Sequence, residues 1–110
     1  MRLGIDFGTT HTVAAVVDRG NYPVVSYDWG DTVPSLVAIR ESDGALRLGQ
    51  EALAVADDAD WTLLRSIKRL LADAGPLTEV HAGDRALPLL DVLVAYLEQL
   101  RADIVHHSNA

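Results

Sequence analysis

The stretch LGIDFGTTHTVAAVV, residues 3–17, decides how the chain is read. Two apolar runs flank a tight DFGTTH segment, so the stretch reads as two strands (Arg2 to Phe7 and Thr12 to Asp18) joined at a short tip. The tip holds residue types that a plain hairpin has no need of. Gly8 lets the backbone approach a ligand closely because it carries no β-carbon. The hydroxyls of Thr9 and Thr10, with nearby backbone N–H groups, suit an anion and phosphate above all. Asp6 cannot sit against a phosphate itself, but it suits a hydrated Mg²⁺ that bridges phosphates, because Mg²⁺ prefers carboxylate oxygen and retained water. The alternative is an ordinary turn in which Thr9 and Thr10 serve as turn residues. The chain has neither the G-x-x-x-x-G-K-[ST] pattern nor G-x-G-x-x-G.

Outward from this stretch, the first half continues as a meander of short strands. Arg19-Gly20-Asn21 is a turn, and Tyr22 to Tyr27 a third strand with Pro23 near its start. Ser35 to Arg40 and Ala45 to Leu48 follow around Ser42-Asp43-Gly44. The second half changes period. Gly49 to Ala56 reads as a short helix. Trp61 to Asp73 reads as an amphipathic helix from Leu63, Leu64, Ile67, Leu70 and Leu71, stopped by Ala74-Gly75-Pro76. Thr78 to Leu87 reads as a small hairpin around Ala82-Gly83-Asp84. Leu90, Leu93, Leu97, Leu100 and Ile104 then mark the apolar stripe of a long helix. The expected fold class is α/β, an antiparallel-then-mixed sheet with helices packed on it.

The bulk composition narrows the function. With 110 residues, 49% of them hydrophobic, the chain fits one domain with a real core. A net charge of −7 argues against nucleic acid and anionic membranes as partners. There are no cysteines, hence neither disulfides nor a Cys-based zinc site. No apolar run approaches the roughly 18 residues of a membrane span, and Asp6 and Gly8 interrupt any secretory pattern, so a cytoplasmic location is expected.

A second constellation is RSIKRLL, residues 65–71, where Arg65, Lys68 and Arg69 share one face of the expected helix. Lys68 is the only lysine among nine basic residues. Its compact charge suits stabilisation of a transferring phosphate, although a solvated basic face explains the same pattern. Trp29 and Trp61 read as packing anchors, His81 as solvated, and Asp57, Asp58 and Asp60 as a solvated acidic loop. His106 and His107 have no assigned role.

GIDFGTTHT closely resembles the first phosphate-binding motif of the seventy-kilodalton heat-shock chaperones (DnaK-type), in the actin, hexokinase and heat-shock ATPase superfamily. TVPSLVAI (32–39), LGQEAL (48–53), LLRSIKRLL (63–71) and HAGDRALPLLDVLVAYLEQL (81–100) resemble further family segments in the same order. Phe7 and His11 depart from the family's usual Leu and its Asn or Tyr. The segment from Leu71 to Val80 is shorter than in the typical member.

The resemblance implies the first part of a ribonuclease-H-like lobe with an abbreviated inserted subdomain, residues 1–110 forming part of an ATPase domain. It implies ATP/ADP and Mg²⁺ as cofactors. Asp6 would hold Mg²⁺ through water. Gly8, Thr9, Thr10 and His11 would cradle the β and γ phosphates, and Thr9 and Lys68 would stand at the reacting end. Unfolded polypeptide clients and co-chaperones would be partners of a complete family member. The family's second phosphate motif, adenosine motif and peptide-binding domain are absent from residues 1–110, so these residues alone are expected to bind nucleotide weakly or not at all and to show no meaningful ATPase. Two alternatives are another ATPase of the superfamily (a sugar kinase or actin-like protein) and a non-enzymatic interaction module that self-associates through an exposed sheet edge.

Overall fold

A computed structural model describes residues 2–110. The opening stretch forms the expected hairpin. Strands β1 (Arg2–Phe7) and β2 (His11–Val17) pair antiparallel in unbroken register from Arg2 opposite Val17 to Phe7 opposite Thr12. The short strand β3 (Val33–Pro34) adds to the other edge of β2, with Pro34 opposite His11. A second sheet centres on β4 (Val37–Arg40), whose Val37, Ala38 and Ile39 are buried, between β5 (Leu46–Leu48) and β6 (Trp61–Leu64). A helical turn, α1 (Gln50–Leu53), follows β5, and α2 (Ile67–Ala72) follows β6. The expected hairpin around Ala82-Gly83-Asp84 forms from β7 (Glu79–Ala82) and β8 (Arg85–Pro88), before the long helix α3 (Leu89–His107).

Four expectations change. All strand pairs among the described residues are antiparallel and fall into three small sheets, so the mixed pairing does not form here.

The segment from Tyr22 to Tyr27 is not a full strand. Pro23 has no N–H to donate, and its carbonyl and Val25 N–H make two bonds with β2 before Tyr27 turns to Gly30 and Ser108.

The segment from Trp61 to Asp73 is not one helix. Its first four residues are the strand β6, filling the edge of β4, and the helix starts only at Ile67. Aromatic and β-branched Trp61 and Thr62 suit a half-buried strand, and the leucines that follow fit either period over so short a run. Trp61 is held between the guanidinium groups of Arg40 and Arg47, at 5.2 and 5.4 Å from its ring centre.

The buried stripe of α3 is rotated from the expected one. Leu89, Val92, Tyr96, Leu100 and Ile104 are buried, whereas Leu90 and Leu97 remain 60% and 41% exposed.

The main core gathers β2, β4 and α3, with Val33, Ile39, Ile67 and Tyr96 among its fully buried side chains. Trp29 packs on it, stacked against Tyr27, while Trp61 packs on a smaller cluster around Leu36, Ala38 and Ala52. Both tryptophans therefore anchor packing. Gly49 joins β5 to α1 at φ 62°, and a β-carbon there would stand 2.8 Å from Val33 Cγ1, so both backbone and space require glycine. His107 meets the Asp28 carboxylate at 3.2 Å, tying the end of α3 to the first half of the chain.

Asp103 is buried on the core side of α3, where its carboxylate accepts from Gln99 Nε2 at 3.0 Å. Burial raises its pKa, against the opposing pull of the Gln99 bond and His107. A carboxyl raised in the fold contributes stability in acid that is lost as pH rises through its folded pKa. Asp103→Asn is therefore expected to raise the melting temperature at pH 7 and to bring no gain near pH 3, as thermal unfolding of both proteins at the two pH values will show.

Candidate functional site: the turn between the first two strands

The turn Gly8-Thr9-Thr10-His11 is closed by the Gly8 N–H donating to the His11 carbonyl at 3.0 Å. Tight hairpin turns usually take positive φ, which matches strand twist. Here neither threonine does. The close approach instead falls on Gly8, where a β-carbon would collide with the His11 carbonyl oxygen. Among the described residues, the amides of Thr9 and Thr10 donate to no backbone carbonyl. Both threonines are exposed, and Thr10 Oγ1 lies 3.0 Å from His11 Nδ1. The tip thus offers two backbone donors and two hydroxyls to solvent on a fixed frame.

The frame comes from three other parts of the chain. Ser35 N–H donates to the Thr10 carbonyl at 2.9 Å. Beneath the turn, the buried hydroxyls of Thr12 and Ser35 bond at 2.9 Å. The Tyr96 hydroxyl reaches across from α3 to Thr12 Oγ1 and the Pro34 carbonyl, both at 3.0 Å. Burial pushes the Tyr96 phenol above its ordinary pKa, so it stays a neutral donor around neutrality. Thr12 and Ser35 lie in the opening stretch and in TVPSLVAI, but only the fold shows that they support one another. The part played by Tyr96 leaves no local sign in a helix rich in apolar residues.

Beside the turn is a hollow of about 300 Å³ lined by Thr10, His11, Pro34, Ser35, Leu36, Leu53 and Arg65. The cation at its wall is Arg65, which precedes α2. Lys68 is exposed on α2 and does not line the hollow. The shared helical face expected for Arg65, Lys68 and Arg69 therefore reduces to Lys68 and Arg69. Asp6 is exposed near the end of β1, opposite Val13. Among the described residues no group of three or more His, Asp or Glu side chains is arranged to hold a metal ion. One carboxylate beside a phosphate-sized cradle still fits Mg²⁺, which commonly takes one or two protein carboxylates and completes its shell with water and phosphate oxygen.

No protein-family model matches the chain. It is 34% identical over 86 residues to the chaperone protein HscA homolog of Colwellia psychrerythraea, a match that covers 77% of this chain and 13% of that protein. It is 33% identical over 101 residues to the chaperone protein DnaK of Mycoplasmopsis agalactiae, covering 90% of this chain and 16% of that one. The chain thus spans less than a fifth of the length of either relative. Over most of its own length, the chain is a relative of the DnaK-type heat-shock chaperones.

Proposed function

We propose that residues 1–110 are the first part of the ATP-binding domain of a heat-shock-type chaperone, the start of a ribonuclease-H-like lobe, and that the Asp6–His11 turn binds nucleotide phosphates. The observation that carries this reading is the collision awaiting any β-carbon at Gly8. It explains why glycine stands where the backbone closes on itself beside two unpaired amides. An ordinary turn has no use for that arrangement.

In this reading the Gly8, Thr9 and Thr10 backbone, with the threonine and His11 side chains, orients the β and γ phosphates of ATP or ADP. Asp6 would hold Mg²⁺ through water, and the ion would supply charge neutralisation at the phosphates. Thr9 lies at the exposed tip, facing the reacting end. Lys68 supplies positive charge and orients the attacking water once the rest of the cleft closes on this wall. Residues 1–110 hold only one wall, so turnover belongs to a longer chain. Clients, co-chaperones and a cytoplasmic location belong to the same reading. Among the described residues, no helix is long and apolar enough to cross a membrane.

Single-turnover ATP hydrolysis by the full product of the reading frame tests the assignment. Lys68→Ala is expected to slow the step by about 10²–10³, as for loss of one charge-stabilising group at a reacting centre. Arg65→Ala is expected to alter hydrolysis far less. The reverse order would move the role to the arginine that lines the hollow.

A further inference from the structure

The first strand has a side that nothing covers. In the three-stranded sheet of the opening hairpin, β1 is an edge. The Gly8-to-His11 closing bond and the unbroken register turn the N–H and C=O groups of Arg2, Gly4 and Asp6 toward β2. Those of Leu3 and Ile5 therefore face the open edge. The side chains of Leu3 and Ile5, 37% and 49% exposed, line an apolar groove of about 430 Å³ with Leu97, Arg101 and Val105 of α3. Leu97 and Val105 are themselves 41% and 63% exposed. The rotation of the α3 stripe is what leaves this second apolar face outside.

We propose that this edge and groove form a two-fold interface between copies of the 110-residue chain, with β1 pairing antiparallel to its counterpart about Gly4. The sequence RLGID is complementary to itself in that register. Arg2 stands opposite Asp6 of the other copy at both ends, Leu3 opposite Ile5, and Gly4 opposite Gly4. The hydrogen-bond parity agrees, because Leu3 and Ile5, the residues whose backbone groups face outward, become the hydrogen-bonded pairs. Their side chains share a face with α3, so the two apolar grooves join across the dyad, while the Arg2–Asp6 pairs lie on the opposite face. Moving the dyad one residue to Ile5 would set Arg2 opposite Gly8 and leave both charges without partners. Charge complementarity therefore selects the register, and apolar burial supplies most of the affinity.

Sedimentation equilibrium of the 110-residue chain, at near-physiological salt and from micromolar to millimolar concentration, tests the interface. A reversible dimer is expected. Ile5→Lys should abolish it with an unchanged circular dichroism spectrum, since Ile5 is half exposed in the single chain. Arg2→Asp sets like charges opposite each other at both ends and should weaken the dimer about tenfold. Asp6→Arg added to Arg2→Asp should restore it. A chain monomeric throughout this range, or a dimer indifferent to Ile5→Lys and to the charge swap, overturns the proposal. So does a monomeric longer product whose Leu3 and Ile5 amides are protected from hydrogen exchange, since that would give the edge to a segment of the same chain.

Discussion

Tyr96→Ala is expected to cost about 3–5 kcal/mol of folding stability, the range for removing a large buried aromatic side chain. Two losses combine at this position. The ring is fully buried on α3 and packs against Phe7 with centres 5.4 Å apart, so its removal opens a cavity beneath β1 and β2. Its hydroxyl is also the donor that joins α3 to Thr12 and to the Pro34 carbonyl. Domains of this size are stable by only about 5–15 kcal/mol, so the alanine variant should be largely unfolded on modest warming or in low urea. Tyr96→Phe separates the two losses. It keeps the ring and strands the Pro34 carbonyl, for an expected cost of about 1–3 kcal/mol. Urea unfolding followed by circular dichroism measures both variants. An alanine variant within about 1 kcal/mol of the parent would mean that α3 does not anchor the turn, given what such cavities ordinarily cost.

Gly8→Val should have the largest effect on ligand binding. Its β-carbon meets the His11 carbonyl oxygen, so the Gly8–His11 bond must open and the Thr9 and Thr10 amides must swing out of place. Losing one or two hydrogen bonds to a charged phosphate removes about 3 kcal/mol, roughly a hundredfold in affinity. The full product of the reading frame should therefore bind MgATP about a hundredfold more weakly as the Gly8→Val variant, with its circular dichroism retained. Gly4→Ala is the control. It lies on the same strand, and a β-carbon there meets nothing within 4 Å, so nucleotide affinity should not change. Equal losses at both glycines would point to damage to the strand rather than to a phosphate cradle.

The parts of the fold that could be read directly are those whose cause is local. The opening hairpin and the β7–β8 hairpin announce themselves by apolar runs around small turn residues. The Asp18–Asn21 turn has Arg19 and Gly20 at positive φ, as its composition suggests. What escaped is decided at a distance. WTLLRSIKRLL carries both a strand and a helix, and the free edge of β4 draws the first four residues into a sheet. Helix α3 has apolar residues on more than one face, and its orientation follows from Tyr96 meeting Thr12, 84 residues away.

The site divides in the same way. Gly8, Thr9 and Thr10 are legible because one short turn contains them. Ser35, Thr12 and Tyr96 bear on the site only through tertiary bonds. The wall cation is a near miss. The basic cluster was visible, but the strand ending at Leu64 puts Arg65 beside the turn and leaves Lys68 on the exposed helix.

The most direct test of the phosphate-binding turn is an amide NMR titration of the full product, selectively labelled at glycine and threonine, with MgATP. The Gly8, Thr9 and Thr10 amides should shift first and saturate with the measured affinity, and the Gly8→Val variant should lose the response. Nucleotide binding that leaves these amides unmoved, or no binding at all, would contradict the assignment. Kinship with the chaperones would then mark descent, and the open edge of β1 would be the working surface of this chain.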